Sequence, residues 1–291
     1  MRKINFLLPI LALAVFSAFK SDKPAYRLFN KEGKEVKYGK MIKTASEADI
    51  VMFGELHNNP ISHWMEYEIT KDLYEAKGEN LILAAEMFES DNQMLLDEYT
   101  EGIIQRKNFE DEAKLWKNYS TDYKPLVEFA KENHLKFIAS NIPRRYAAIV
   151  HKKGFEGLDS LDSAEKALIA PLPIDYDADL PAYKAMIEMM KGMGPAHANE
   201  NLPKAQAIKD ATMAHFTLEY WKPGKLVIHY NGSYHSDNFE GIVWYLKQQN
   251  PDLKIVTVTS VEQDDIEQLN SDNKGLADFI ICITSDMTKT Y

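Results

Sequence analysis

Disulfide chemistry is closed to this chain. Its 291 residues include a single cysteine, Cys282, inside the apolar run Phe279-Ile280-Ile281-Cys282-Ile283, where a lone thiol reads as a small core residue. Positive charge is also in deficit: 34 Lys and Arg against 44 Asp and Glu leave a net charge of -10. No basic stripe exists to follow a phosphate backbone, so nucleic acid is excluded as a partner. Internal repeats and low-complexity tracts are missing, which excludes solenoids and disordered arrays. No apolar run is long enough to span a bilayer. The longest, Phe6 to Phe19, follows Arg2 and Lys3 and precedes Lys20-Ser21-Asp22-Lys23. That length and those flanks predict a secretory signal peptide over residues 1–19; Val15-Phe16-Ser17 suits a cut after Ser17, whereas a cut after Ala18 puts bulky Phe16 at the outer recognition position, and a retained anchor is the alternative. No cysteine follows it to accept a lipid. The expected location is therefore extracytoplasmic, either periplasmic or extracellular.

What is present is a core. Hydrophobic residues make up 45% of the chain, ample for one α/β domain, expected over 24–291. Six apolar runs rich in β-formers carry polar punctuation and then a helical pattern: Asp49 to Phe53, Asn80 to Ala85, Leu135 to Ser140, Lys225 to Tyr230, Lys254 to Val261 and Phe279 to Thr284. The alternation predicts βα units around a mainly parallel central sheet flanked by helices. Near-continuous apolarity predicts strands covered on both faces. Helices are expected over 61–77, 91–101 and 124–133, and from Pro143 to His151 with Asn141 as cap. The region of about 158–222 offers no strand but two helical stretches, 181–193 and 203–221, and reads as a helical cap or insertion. Near the start, Lys31-Glu32-Gly33-Lys34 separates two short strand candidates, Tyr26 to Asn30 and Glu35 to Tyr38, which predicts a hairpin.

In an open parallel sheet, ligands bind beyond the carboxyl ends of the strands, so the residues that end each run carry the functional reading. The first run ends in Gly54-Glu55-Leu56-His57, the second in Glu86-Met87-Phe88-Glu89, the third in Asn141 with Arg144, Arg145 and Tyr146 beyond it, and the fourth in Asn231-Gly232-Ser233-Tyr234-His235. A glycine followed three residues later by histidine thus occurs twice, each time after a strand, and glycine permits the sharp turn. Two such imidazoles with Glu55 or Glu86 supply the mixed nitrogen and oxygen donors that suit a divalent transition metal. Each residue also has a plain structural reading, as a helix cap or a buried ion pair. His63, one and a half turns into the first helix, is a further candidate for the same crevice, with surface or packing as its plainer reading, and His134, His197 and His229 are read as packing residues. Met186, Met189, Met190 and Met193 fall at helical spacing, a core or interface face first and a soft cradle for an apolar cofactor second. The acidic run Glu262 to Asp265 is read as solvated.

Taken in order, Gly54-Glu55-Leu56-His57-Asn58-Asn59-Pro60, Ala85-Glu86-Met87-Phe88-Glu89, Asn141-Ile142-Pro143-Arg144-Arg145-Tyr146, Asp210-Ala211-Thr212-Met213-Ala214 and Asn231-Gly232-Ser233-Tyr234-His235 resemble the ChaN family of haem-binding iron-uptake proteins. The resemblance implies the α/β fold shared by ChaN and erythromycin esterase, related to the Tiki and TraB proteins. It also implies two functional classes. ChaN-like proteins bind haem at a homodimer interface through a tyrosine, as part of haem and iron uptake with outer-membrane machinery as the implied partner. Tiki relatives use matching Gly-x-x-His and Glu positions in metal-dependent peptide hydrolysis. Carried onto this chain, the hydrolase pattern falls on His57, Glu86 and His235 as metal ligands, with Glu55 as general base. A metal-free variant pairs Glu55 with His57. The haem pattern points to Tyr146 as axial ligand with Arg144 and Arg145 for the propionates, and Tyr146 can equally be a packing residue. A third expectation is a dimeric interaction protein with a vestigial site. ChaN-like proteins are often lipoproteins, and the missing lipid-accepting cysteine sets this chain apart.

Overall fold

The apolar runs become strands because each alternates its side chains between two helical layers. The computed structural model describes residues 23–192 and 199–291; the expected signal peptide, Met193 and His197 lie outside them. In chain order the main elements are β1 (Tyr26–Asn30), α1 (Tyr38–Ser46), β2 (Ile50–Glu55), α2 (Pro60–Lys77), β3 (Leu81–Glu89), α3 (Gln93–Thr100), α4 (Arg106–Glu112), α5 (Lys124–Glu132), β4 (Phe137–Asn141) and α6 (Arg144–Lys153). There follow α7 (Ser163–Lys166), α8 (Pro181–Gly192), α9 (Leu202–Tyr220), β5 (Leu226–Gly232), α10 (Ile242–Gln249), β6 (Ile255–Gln263) and β7 (Phe279–Thr284). The sheet order is β1-β7-β6-β2-β5-β3-β4. All neighbouring strands run parallel except β1, which pairs antiparallel with β7.

Within β2, Val51 and Phe53 pack into one core with Met65 and Ile69 of α2 and with residues of α1, α3 and α5. Ile50 and Met52 point the other way, into a core with Ala207 and Ala211 of α9 and Ile242 and Leu246 of α10. This is the two-residue period of a strand buried on both faces. A smaller core joins Tyr146 and Val150 of α6 to Leu158, Ile169 and Ile208, so the helical region of about 158–222 is packed onto the sheet through α6 and α9. Among the described residues no helix is long and apolar enough to cross a membrane.

The topology positions the site. Strand β5 inserts between β2 and β3, and the chain then crosses to β6 on the other side of β2. The helix after β2 covers one face and the helix after β5 the other, so a crevice opens above the carboxyl ends of these two strands.

Two local expectations need correction. The N-terminal hairpin is reduced to its turn: the amides of Asn30 and Val36 donate to the carbonyls of Lys34 and Leu28 around a single bridge, Phe29 to Glu35, but the second strand stops there, Tyr38 begins α1, and β1 finds its main partner in β7. Leu28 and Phe29 find burial only against the main sheet, whereas Glu35 and Lys37 are exposed and have no apolar face to pair. Asn141 does not cap α6. It ends β4 and donates its amide to the Glu86 carbonyl at 3.0 Å, and the residue before α6 is Pro143, which makes no side-chain cap.

Candidate functional site

Glu55 is the last residue of β2 and is buried, while His57 follows on the loop into α2, its side chain 38% exposed. Asn59 caps α2 by accepting hydrogen bonds from the amides of Ile61 and Ser62, and Pro60 opens the helix; both are signals of a helix start. His57 Nδ1 lies 2.6 Å from Glu55 Oε1, and the Tyr123 hydroxyl donates to the same oxygen at 2.7 Å. A π-helical turn, Tyr119–Tyr123, brings Asp122 and Tyr123 into place.

The two glycines of the Gly-x-x-His motifs serve close approach rather than an unusual turn. A Cβ on Gly54 would stand 2.9 Å from Ser233 Cα, and one on Gly232 would stand 2.8 Å from both His57 Cε1 and Nε2. The His57 ring therefore lies against the backbone of the second motif, with Trp116 edge-on at 5.0 Å between ring centroids.

Glu86 reaches the crevice because the pairing of β3 with β4 slips between Ala85 and Glu89, an irregularity that re-aims a side chain near a strand end. Its Oε2 accepts the Gly232 amide at 2.8 Å, and its Oε1 is 3.2 Å from His235 Nε2. His235 Nδ1 contacts Asp210 Oδ1, with the Gln206 amide also at 2.8 Å. Burial alone lowers the His235 pKa, but Glu86 and Asp210 outweigh it and push it up to about 10. Burial raises the Glu86 carboxyl, yet the charges of His235 and His57 and the Gly232 amide hold it well below the usual carboxylate range. Carboxylates engage both nitrogens of His235. The expected His57, Glu86 and His235 set is thus gathered in one place, but His235 sits there as an imidazolium bridging Glu86 and Asp210 rather than as a ring with a free nitrogen.

A second group lies on the other side of His57. His63 Nδ1 is 3.0 Å from Glu66 Oε2 and 3.8 Å from Glu55 Oε2, and its Nε2 is 3.1 Å from the His57 carbonyl. Asn118 donates to that carbonyl at 2.9 Å and to Asp122 at 2.7 Å. Burial, then the Glu66 charge, pushes Glu55 up to about 8 against the pull of His57 and His63. Burial and Asp122 push Glu66 up to about 8 as well. His57 is raised: burial opposes the shift, and the Glu55 hydrogen bond and charge override it. All three groups are displaced upward, so the buried carboxyls of Glu55 and Glu66 hold protons near neutral pH; strongly perturbed groups gathered beside a crevice mark a candidate site.

His63, whose plainer sequence reading is packing, is thus central; Asp210 is marked in sequence only as part of a family motif, and Glu66, Asp122, Tyr123 and Gln206 join it unforeseen. His229 keeps its structural role: it is buried, with Nε2 2.9 Å from Ser140 Oγ. Arg144 is exposed and lines a cavity of about 180 Å³ with Glu86, Trp116 and Lys209. Arg145 pairs with Asp91 and lies over the Tyr146 ring, 4.4 Å from its centroid. Tyr146 is only 4% exposed, and Arg145 Nη2 donates to its hydroxyl at 3.3 Å. Of the methionine stripe, Met186 is buried and Met189 is 60% exposed. Met190 lines a crevice of about 480 Å³ with Tyr176, Ile187, Lys191 and Lys204, between α8 and the start of α9.

The same architecture occurs in solved structures. ChaN of Campylobacter jejuni, in a structure describing its cofacial haem binding, aligns with 88% of this chain and 96% of its own at 17% identity and a TM-score of 0.65. An erythromycin esterase mutant in its open conformation aligns with 91% of this chain and 98% of its own at 8% identity and a TM-score of 0.52. At these identities the likeness is one of fold. Among curated proteins, none matches the chain significantly. The family model described as "Haem-binding uptake, Tiki superfamily, ChaN" matches residues 41–246, a span that holds both Gly-x-x-His motifs, Glu86 and the whole helical region, and the chain belongs to that family.

Proposed function

We propose that this chain is an extracytoplasmic haem-binding protein of haem and iron uptake, which takes haem in the crevice between α8 and α9. The crevice is the observation that carries the reading. At about 480 Å³ it falls in the range of cofactor sites, roughly 300–1,000 Å³. Ile187 and Met190 offer an apolar wall, Lys191 and Lys204 offer ammonium groups for two propionates, and Tyr176 offers a phenol oxygen of the kind that ligates haem iron. The surroundings of Tyr146 fit a haem less well, because the ring is buried under Arg145 and the cavity beside Arg144 holds only about 180 Å³. Exposed Met189 extends the apolar surface and is suited to a homodimer in which a second copy covers the bound haem. Delivery to outer-membrane uptake machinery is part of this reading, supported by the family match and by the export signal read in the sequence. The test is a haemin titration of the mature protein, with oligomeric state recorded. A Soret band that is lost in Tyr176→Phe, and weakened about tenfold by Lys191→Glu with Lys204→Glu, supports the reading. An unchanged haemin spectrum refutes it, and loss in Tyr146→Phe alone moves the ligand to α6.

A second reading, hydrolysis, is favoured by half-exposed His57 hydrogen-bonded to buried Glu55. In it Glu55 and His57 act as base and acid on a water in the crevice, with Glu86 and His235 supplying fixed charge; the variant with a metal on His57, Glu86 and His235 requires His235 to give up the proton it directs at Glu86. Turnover of simple esters and peptides that vanishes in His57→Ala would establish it; no turnover with either substrate class removes it.

A further inference from the structure

His63 is a buried imidazole among three buried carboxylates, Glu55, Glu66 and Asp122, the last with Oδ2 3.5 Å from Nε2, an arrangement that haem binding does not explain. The His63 Nε2–H faces the His57 carbonyl at 3.1 Å, the usual device by which a backbone oxygen fixes a histidine tautomer and turns its other nitrogen into a ligand. That other nitrogen, Nδ1, faces Glu66 Oε2 at 3.0 Å and Glu55 Oε2 at 3.8 Å. In this tautomer, once both carboxyls are ionised, three electron-rich atoms converge with no donor among them; without an ion, protons on Glu55 and Glu66 fill that role. Glu55, His63 and Glu66 each place one such atom within 4.8 Å of the others. Glu55 Oε2 and Glu66 Oε1 are buried and have no hydrogen-bond partner. Unpartnered carboxylate oxygens at this depth are costly unless something positive lies between them.

We propose that Glu55, His63 and Glu66 form a binding site for a divalent transition-metal ion, distinct from the Glu86–His235–Asp210 group and from the haem crevice. One imidazole nitrogen and two carboxylates form a mixed donor set suited to ions of the zinc, iron or manganese class. The supporting groups are in place: Asn118 and His63 Nε2 share the His57 carbonyl, and the Tyr123 hydroxyl and His57 Nδ1 occupy Glu55 Oε1, which leaves Oε2 for the ion. His57, the half-exposed member, is the side chain whose rotation admits an ion from the crevice. The competing occupant is a shared proton.

Cobalt(II) serves as the probe because its visible bands report bound nitrogen and oxygen ligands directly. Wild-type protein, stripped with chelator, is expected to bind a single Co²⁺ per chain that Zn²⁺ displaces, with a rise in Tm. Glu86→Gln is expected to retain this binding, and Glu66→Gln to weaken it at least tenfold. Absence of cobalt bands and of a Tm shift in wild type overturns the proposal in favour of the proton. Binding lost in Glu86→Gln but kept in Glu66→Gln overturns it in favour of the neighbouring group. Should Glu66→Gln fail to fold, hyperfine-shifted ring protons of His63 in cobalt-loaded wild type support the site, and their absence with those of His235 shifted instead refutes it. The site stands apart from haem binding, so a failed haemin titration and a failed cobalt titration are separately readable.

Discussion

The charge on His235 ties stability to pH in a direction opposite to acid denaturation. The folded pKa, pushed up to about 10, lies above the ordinary 6.5. The folded chain therefore holds a proton that the unfolded chain releases. The stabilisation is complete below pH 6.5 and is lost as pH rises toward about 10. At 1.36 kcal/mol per pH unit, the shift corresponds to at most about 5 kcal/mol. Glu86→Gln removes one of the two carboxylates that hold the proton. Breaking a buried pair of this kind costs about 3–5 kcal/mol, and the lower end is expected because Asp210 remains against Nδ1. Urea unfolding of both proteins across pH 6.5 to 10 is the assay. The wild type should lose more stability than the variant over that interval, so their curves should converge at high pH. Histidine ring NMR gives an independent check, since the His235 signals should stay in the protonated position at pH 8. Parallel stability profiles, or a His235 ring that titrates near 6.5, would refute the reasoning.

The other outcomes follow from single contacts. Gly232→Ala drives a methyl into the His57 ring at 2.8 Å and should lower stability by about 1–3 kcal/mol; in thermal unfolding the penalty should shrink when His57→Ala is added, because the clash is gone. His229 behaves oppositely to His235: burial depresses it to about 4 from 6.5, so its stabilising neutrality is full above pH 6.5 and is lost as pH falls toward 4. A His229→Gln chain should therefore show a shallower acid limb in urea unfolding, by up to about 3 kcal/mol. Tyr123→Phe removes the buried hydroxyl that donates to Glu55 and should cost about 1–2 kcal/mol, measured by the same unfolding.

The sheet was legible because strands buried on both faces write themselves as continuous apolar runs, and each of the six expected runs lies on a strand. The polar residues ending those runs were legible for the same reason: Glu55 and Gly232 are the last residues of their strands. What the runs could not convey is pairing. Whether β1 turns back on Glu35 or joins β7 depends on which partner buries Leu28 and Phe29, and β7 lies some 250 residues further along the chain. The helical half of the site was hidden by a different cause. On α2 the apolar positions Met65, Ile69 and Leu73 recur every four residues, and so do Ser62, Glu66 and Thr70 beside them, with His63 adjoining; all seven are buried. A polar stripe in step with a core face is not a solvated flank. Its groups must be satisfied inside, as Ser62 is by Ser260 at 2.9 Å and Thr70 by the Tyr230 hydroxyl. Glu66 is the member of that stripe left with an unpartnered oxygen, and this exception gives His63, three residues earlier on the same helix, a role beyond packing.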